Sequence, residues 1–112
     1  MSHLYKKYSM DQLKQEEINL RDGLEEAEKL DQKKYIAVYK RKIEIVQSYM
    51  LNQNDFQPGD IREFKEDPRY LFEIDEMSGV IAWGYRIDKK TQQRHDQKPI
   101  AKLLVLLGEK CE

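Results

Sequence analysis

The spacing of the apolar residues changes near residue 55, and this change limits the folds available to the chain. Before it, apolar residues recur about every 3.6 positions, as on one face of an α-helix; after it, they alternate with polar residues, as in β-strands. The chain has 112 residues, which suits one small core with an appended helical element. The sequence therefore predicts an α+β fold, with a helical hairpin over residues 1–54 and a small β unit over residues 55–112.

The first helix is predicted from about Ser9 to Leu30. Ser9 can accept a hydrogen bond from the backbone of Gln12, and the Gln12 side chain can reach back to form a capping box. Tyr8 and Leu13 are at the two positions of a hydrophobic staple. An apolar stripe follows at helical spacing. Its members are Leu13, Leu20, Leu24 and Ala27, with Ile18 and Leu30 widening it.

A second helix is predicted from about residue 34 to residue 50, after the short polar connection Asp31–Lys33. Its apolar residues again recur at helical spacing, and the stretch contains neither glycine nor proline. Two helices joined by so short a loop are expected to pack as an antiparallel hairpin. Residues 11–31 carry a net charge of −5 and residues 33–50 one of +4. Opposite charge also favours side-by-side packing, although each exposed pair contributes only about 0.2–1 kcal/mol.

Five basic residues of the second helix could contact phosphate groups. They are Lys33, Lys34, Lys40, Arg41 and Lys42. Binding through phosphates usually needs a strongly basic domain, whereas this chain has a net charge of −1. The simpler interpretation is a solvated face matched to the acidic first helix, and nucleic-acid binding stays open as an alternative.

Short strands are predicted after the turn at Pro58-Gly59. Their expected ranges are 61–64, 70–76 and 80–87. Residues 88–98 are almost entirely polar and read as an exposed, mobile loop. The last apolar segment, 99–107, fits either a strand followed by a helical turn or a short helix. Several short strands in so few residues suit a small, strongly bent barrel.

One aromatic group on the predicted strands could bind a partner. Trp83 and Tyr85 share one face of the third strand, with Arg86 beside them and Tyr70 on the neighbouring strand. Small barrels bind peptides in aromatic-lined grooves. The alternative is that this face is the barrel core, together with Ile81 and Ile87, and large aromatic residues favour the core for Trp83.

Tyrosines of the second helix are a further candidate surface. Tyr35, Tyr39 and Tyr49 exceed what a two-helix hairpin can readily bury, and tyrosine is favoured at protein interfaces. They indicate self-association or a protein partner.

Metal binding and enzymatic catalysis are not expected from these residues. Cys111, His3 and His95 are far apart in the sequence, whereas a zinc site needs about four ligands at usable spacing. The pattern of Glu73, Asp75 and Glu76 is typical of the solvent-facing side of an amphipathic strand rather than of a catalytic acid–base pair. Gly84 marks a bend or a close backbone approach. We therefore expect no cofactor, no metal and no small-molecule substrate.

The chain is expected to be cytoplasmic. Its single cysteine cannot close an internal disulfide, which fits a reducing compartment. Its first ten residues lack a signal-peptide core, and its apolar runs are far shorter than the roughly 20 residues that span a bilayer. A membrane location is therefore not predicted.

Two strings in the second half resemble the YfhH family of small proteins from Bacillus-type Gram-positive bacteria. They are Asp55-Phe56-Gln57-Pro58-Gly59-Asp60 and Ser78-Gly79-Val80-Ile81-Ala82-Trp83-Gly84-Tyr85-Arg86. The Tyr8-Ser9 helix start and the helix from Ala37-Val38 to Tyr49 are also similar. The resemblance implies a helical hairpin followed by an SH3-like β-barrel. Members of the family are sometimes labelled transcriptional regulators, without an agreed mechanism. The resemblance implies no catalytic or cofactor residues, and a fold alone does not establish a function.

Two functions follow as hypotheses. The first is a non-enzymatic protein-interaction or regulatory module, acting as a homodimer or as an adaptor for another protein. The second is a nucleic-acid-binding regulator that uses the basic second helix.

Overall fold

The computed structural model describes residues 5–111 and has two helices followed by a five-stranded antiparallel sheet. The helices are α1 (Met10–Lys29) and α2 (Lys33–Met50). The strands are β1 (Ile61–Phe64), β2 (Tyr70–Ser78), β3 (Ile81–Asp88), β4 (Ile100–Leu103) and β5 (Leu107–Lys110). The chain forms two compact units, with the boundary in the sequence between Leu51 and Asn52. The α+β class is confirmed.

The predicted cap starts the first helix. The Ser9 hydroxyl accepts a hydrogen bond from the Gln12 backbone at 3.2 Å, and the Gln12 side chain accepts one from the Ser9 backbone at 2.8 Å. The capping box is therefore confirmed, and it satisfies two donors that a helix start leaves free. No helix within the described residues has both the length and the apolar character needed to cross a membrane.

An apolar cluster joins the two helices into the predicted hairpin. Its buried members are Tyr5, Leu13, Leu20, Ile43 and Val46, and Tyr8, Leu24, Tyr39 and Tyr49 pack against it. The predicted widening of the stripe is wrong, because Ile18 and Leu30 are exposed. Only one helix packs against α1 in this cluster, so a narrow stripe is enough.

The charge difference between the helices does not produce ion pairs between them in the described residues. The ion pairs of the hairpin lie within one helix each, and they join Glu17 to Arg21, Glu25 to Lys29 and Arg41 to Glu44. A hydrogen bond from Gln47 to Glu17, 2.7 Å long, crosses between α1 and α2. The apolar cluster, rather than charge pairing, therefore holds the hairpin together.

The five strands form one open sheet in the order β4-β3-β2-β1-β5. Because the two edge strands do not pair with each other, the closed SH3-like barrel is not confirmed. A single 3₁₀ turn, Leu104–Leu106, connects β4 to β5. The last apolar segment is thus a strand followed by a helical turn, the first of the two predicted alternatives.

A β-bulge at Asp75 and a close approach at Gly84 shape the pairing of β2 with β3. Ile74 pairs with Gly84 and Glu76 with Trp83, so Asp75 is the extra residue. A Cβ atom at Gly84 would lie 1.9 Å from the Glu73 carbonyl oxygen. The close backbone approach predicted at Gly84 is therefore confirmed, and it accompanies the bulge.

The buried side of β3 is the opposite of the one predicted. Val80, immediately before β3, and Ala82 and Gly84 within it are buried, whereas Trp83 is 41% exposed. The prediction that Trp83 belongs to the core is therefore wrong. The physical reason is volume: the buried side is already filled by Phe72 and other large side chains of the neighbouring strands, so only small residues fit beneath them.

Candidate functional site

The outer side of the sheet carries Trp83 and Tyr85. In an antiparallel pair, residues directly opposite each other share a face. Tyr85 is opposite Glu73, and Ile87 is opposite Leu71. This surface, the outer sheet face, consists of Ile61, Leu71, Glu73, Trp83, Tyr85 and Ile87. All six are exposed or half-buried, so the strand alternation places four apolar or aromatic side chains of β2 and β3 toward solvent.

A shallow groove of about 350 Å³ crosses the outer sheet face. Its lining consists of Ile61, Leu71, Glu73, Ile87, Gln92 and Arg94. The Arg94 guanidinium lies 3.9 Å from the centre of the Tyr85 ring, and its Nε donates a hydrogen bond to Glu73 at 3.0 Å. One arginine therefore covers the tyrosine ring and, in an ion pair with Glu73, lines the apolar groove.

Arg86 and Tyr70 lie on the other side of the sheet from Trp83. Arg86 donates two hydrogen bonds to the Asp96 carboxylate, at 2.6 Å and 3.0 Å, and its backbone N–H donates a third at 2.9 Å. These bonds from Arg86 hold the pKa of Asp96 below its usual range. The Tyr70 ring is buried and lies 4.8 Å from the His95 ring. The predicted aromatic group is therefore divided between two faces.

Most of residues 88–98 are exposed, as predicted, but Asp88 and Asp96 are half-buried and the segment is not a free loop. The Asp88 carboxylate accepts hydrogen bonds from the backbone of Lys90 and Thr91, and the His95 backbone donates to the Arg86 carbonyl at 2.7 Å. Together with the Arg86–Asp96 pair, these contacts fix the segment that carries Arg94. Sequence reasoning missed Arg94 and Asp96, because contacts across nine residues or more leave no local pattern. A signal did exist for Leu71, an apolar residue on the otherwise polar side of β2.

The five basic residues of α2 are all exposed. Arg41 pairs with Glu44 at 3.7 Å. Within residues 5–111, no ion pair involves Lys33, Lys34, Lys40 or Lys42. Their spacing places Lys33 and Lys40 in one direction, Lys34 and Arg41 in a second and Lys42 in a third, so these bases are spread over the solvent-facing side of α2 instead of forming one stripe.

The three tyrosines of α2 have different environments. Tyr35 is exposed, while Tyr39 and Tyr49 are half-buried against the apolar cluster. The Tyr49 ring lies edge-on to Tyr5, with the ring centres 6.1 Å apart. Tyr49 thus contributes mainly to the hairpin core, and Tyr35 and Tyr39 remain as surface candidates.

Reactive side chains do not come together in the described part of the chain. No group of three or more His, Cys, Asp or Glu residues is arranged to hold a metal ion there, and His3 lies outside the described residues. Burial and the neighbouring Glu63 carboxylate raise the pKa of the Cys111 thiol. A raised pKa disfavours the thiolate that a nucleophile or metal ligand requires.

Two comparisons with known proteins find similar sequences. Residues 3–104 match the family model described as "Protein of unknown function (DUF1811)". The chain is also 37% identical over 93 residues to "Uncharacterized protein YfhH" of Bacillus subtilis (strain 168). That alignment covers 79% of this chain and 86% of the relative.

Proposed function

This chain belongs to the YfhH-like DUF1811 family, whose function is unknown, and we propose a function for it from the properties of its surfaces. The proposed function is that of a non-enzymatic protein-interaction or regulatory module. The resemblance drawn from the sequence is confirmed at the level of the family. The proposal is that the outer sheet face binds another protein. We also propose the SH3-like barrel as the class of the β unit, supported by its short, bulged strands and the 3₁₀ turn between β4 and β5.

The exposure of Trp83 carries this proposal. Trp83 is 41% exposed and lies two residues from half-buried Tyr85 on the same side of β3, and Glu73, the strand partner of Tyr85, lines a groove with apolar walls. Tryptophan and tyrosine are enriched at the centres of protein interfaces, where a few such residues supply most of the binding energy. Contiguous apolar surface on a folded protein commonly marks an interaction site.

The groove favours binding over acid–base chemistry. Its walls are mainly Ile61, Leu71 and Ile87, and its two charged groups, Glu73 and Arg94, pair with each other. A carboxyl group that acts as a general acid or base is commonly buried or close to a like charge, whereas Glu73 is half-buried and faces the Arg94 guanidinium. The lining therefore supports a docking role.

Trp83 also supplies the test, since it is the only tryptophan in the chain. Immobilised full-length protein, the Trp83→Ala variant and an Ile18→Ala control would be compared for the proteins each retains. Ile18 is an exposed apolar residue of α1, so its replacement controls for loss of unspecific apolar contact. Circular dichroism would establish that all three are folded.

We expect the wild type and Ile18→Ala to retain the same proteins, and Trp83→Ala to lose them by a factor of at least about 30, the effect of a hot spot worth about 2 kcal/mol. Titration with a retained protein should move the Trp83 fluorescence to shorter wavelength as the indole leaves water. Equal retention by Trp83→Ala would contradict the proposal.

A second candidate function is nucleic-acid binding through α2. The exposed lysines without ion-pair partners in the described residues, Lys33, Lys34, Lys40 and Lys42, are the observation that favours it. Phosphate contacts would give an affinity for labelled DNA or RNA that falls steeply as salt rises. Replacing these four lysines with glutamine should then flatten the salt dependence. Absence of binding at low salt would exclude this candidate.

A further inference from the structure

One side of the hairpin carries a second apolar surface, separate from the outer sheet face. Leu30, Tyr35 and Val38 are 58%, 53% and 40% exposed, and they surround half-buried Tyr39. A groove of about 230 Å³ lies there between the two helices. We name this surface the tyrosine face; it consists of Leu30, Tyr35, Val38 and Tyr39 together with the groove residues Gly23, Glu26, Ala27 and Gln32.

Helical spacing brings these residues to one side of the hairpin. On α2, Val38, Tyr39 and Lys42 follow Tyr35 by three, four and seven residues, and Glu26, Ala27 and Leu30 follow Gly23 by the same intervals on and after α1. The Tyr39 ring joins the two rows, because a Cβ atom at Gly23 would lie only 2.5 Å from Tyr39 Cε1. The tyrosine face is therefore one continuous surface, not two separate helix edges.

The charges that flank the tyrosine face differ in sign between the two helices. Glu26 projects from α1, while Lys34 and Lys42 project from α2, and all three are exposed. None of the three has an ion-pair partner among residues 5–111. A surface that would cover the tyrosine face and pair these charges must therefore be basic above α1 and acidic above α2.

A second copy of the same chain meets that requirement. We propose that the tyrosine face is the interface of a homodimer in which α1 of each copy lies on α2 of the other. A two-fold axis parallel to the helices produces this arrangement, since it exchanges the two helices and preserves their direction. The result is a four-helix bundle with a self-complementary interface.

The same symmetry pairs the charges twice. The Gly23–Tyr39 contact sets the relative level of the helices, so Glu26, three residues after Gly23, is level with about residue 36 of α2. Lys34 is within one turn of that level. In the dimer, Glu26 of each copy therefore approaches Lys34 of the second copy. A two-fold axis across the helices would instead place α1 on α1, acid against acid.

The size of the tyrosine face indicates how tightly the two copies are expected to bind each other. Eighteen residues of α2 extend about 27 Å at 1.5 Å per residue, and two packed helices are roughly 20 Å wide. The projected area of about 500 Å² is smaller than the ~800 Å² that each partner contributes to a standard interface. The dimer should therefore be weak, with dissociation in the micromolar range.

Sedimentation equilibrium of charge-reversal variants tests the proposed homodimer. The full-length chain, Glu26→Lys, Lys34→Glu and the double variant would be compared over roughly 1 to 300 μM. Glu28→Lys and Lys33→Glu are matched controls, because they make the same charge changes at exposed residues. Glu28 lies three turns after Glu17 in α1, on the side of the hairpin that carries the Glu17–Gln47 hydrogen bond. Lys33 lies two turns before Lys40, on the side of α2 that carries Gln47. Helical circular dichroism would establish that each variant is folded.

We expect the wild type and both controls to dimerise with similar constants, and each single reversal to weaken the dimer about tenfold or more, because it places like charges together twice. Glu26→Lys mixed with Lys34→Glu should form a heterodimer of wild-type strength, and the double variant should recover self-association. A wild type that stays monomeric at 300 μM would overturn the proposal. Single reversals without effect, a mixture that does not recover, or occupation of this face by DNA or another protein without dimerisation would also overturn it.

Discussion

Gly84 lies where β2 and β3 approach most closely, and its replacement by alanine should strongly destabilise the sheet. The added Cβ would lie 1.9 Å from the Glu73 carbonyl oxygen and 2.9 Å from Phe72 Cε2. A comfortable carbon–oxygen contact is about 3.3 Å, so the strands would have to separate by more than about 1 Å at this point. Because the oxygen belongs to the backbone, no side-chain rotation relieves the clash.

The cost can be estimated from what the separation disrupts. Ladder hydrogen bonds near the Ile74–Gly84 pair would lengthen, and each buried backbone group left unpaired costs about 1–3 kcal/mol. The fully buried Phe72 ring would also have to shift, and overpacking of this kind costs about 1–3 kcal/mol. We therefore expect Gly84→Ala to lower the free energy of unfolding by roughly 3–5 kcal/mol. A domain of this size has about 5–15 kcal/mol in total.

Urea unfolding followed by circular dichroism and by Trp83 fluorescence would measure the change. Gly79→Ala is the matched control, since Gly79 has a φ of +60° but open space around its Cα. Its substitution should cost only about 1–2 kcal/mol, the strain of a left-handed residue. If Gly84→Ala lowers the free energy of unfolding by less than Gly79→Ala, the close approach described here is refuted.

Three further substitutions test other contacts. Ser9→Ala removes the capping box and should cost about 1 kcal/mol, measured by thermal unfolding. Asp96→Asn removes the acceptor of the Arg86 bonds and should cost about 1.5–3 kcal/mol at pH 7. The pKa of Asp96 is lowered in the folded state. The loss of unfolding free energy caused by Asp96→Asn should therefore be complete above the unfolded pKa of the carboxyl group, near 4, and should shrink as the pH falls below it. A loss that does not depend on pH would contradict the pairing. Gly23→Ala should raise helix stability by about 1 kcal/mol only when combined with Tyr39→Ala, and an equal gain in both backgrounds would show that the ring does not occupy this space.

The helices could be predicted from the sequence because their signals are local. Ser9 and Gln12 form the cap within one turn, and the connection Asp31–Lys33 follows from a break in the helical period. The predicted range of α2 began one residue after its observed start at Lys33. The strand positions followed from alternation and from the turn at Pro58-Gly59, where Gly59 has a φ of +92°.

The candidate site could be predicted only in part, because it depends on contacts between distant segments. The sequence identified Trp83 and Tyr85 as sharing one face, and they do share the outer sheet face. It could not place Arg94 over Tyr85 or Asp96 on Arg86, since these pairs depend on how residues 88–98 fold back. The bulge at Asp75 was also missed, because two consecutive polar residues, Asp75 and Glu76, interrupt the alternation where a strand could equally end.

The error over Trp83 has its physical origin in the packing of the sheet. On the packed side of β3, Gly84 leaves room for the Glu73 carbonyl oxygen and the Phe72 ring; in the hairpin, Gly23 of α1 leaves room for the Tyr39 ring. A strand with small residues on its packed side leaves its larger neighbours for the other side, here Trp83 on β3. Hydrophobicity alone assigns such residues to the core, whereas volume assigns them to the surface. The exposure of Trp83 is therefore a consequence of tight packing beneath it, and tight packing gives a docking surface the rigidity that binding requires.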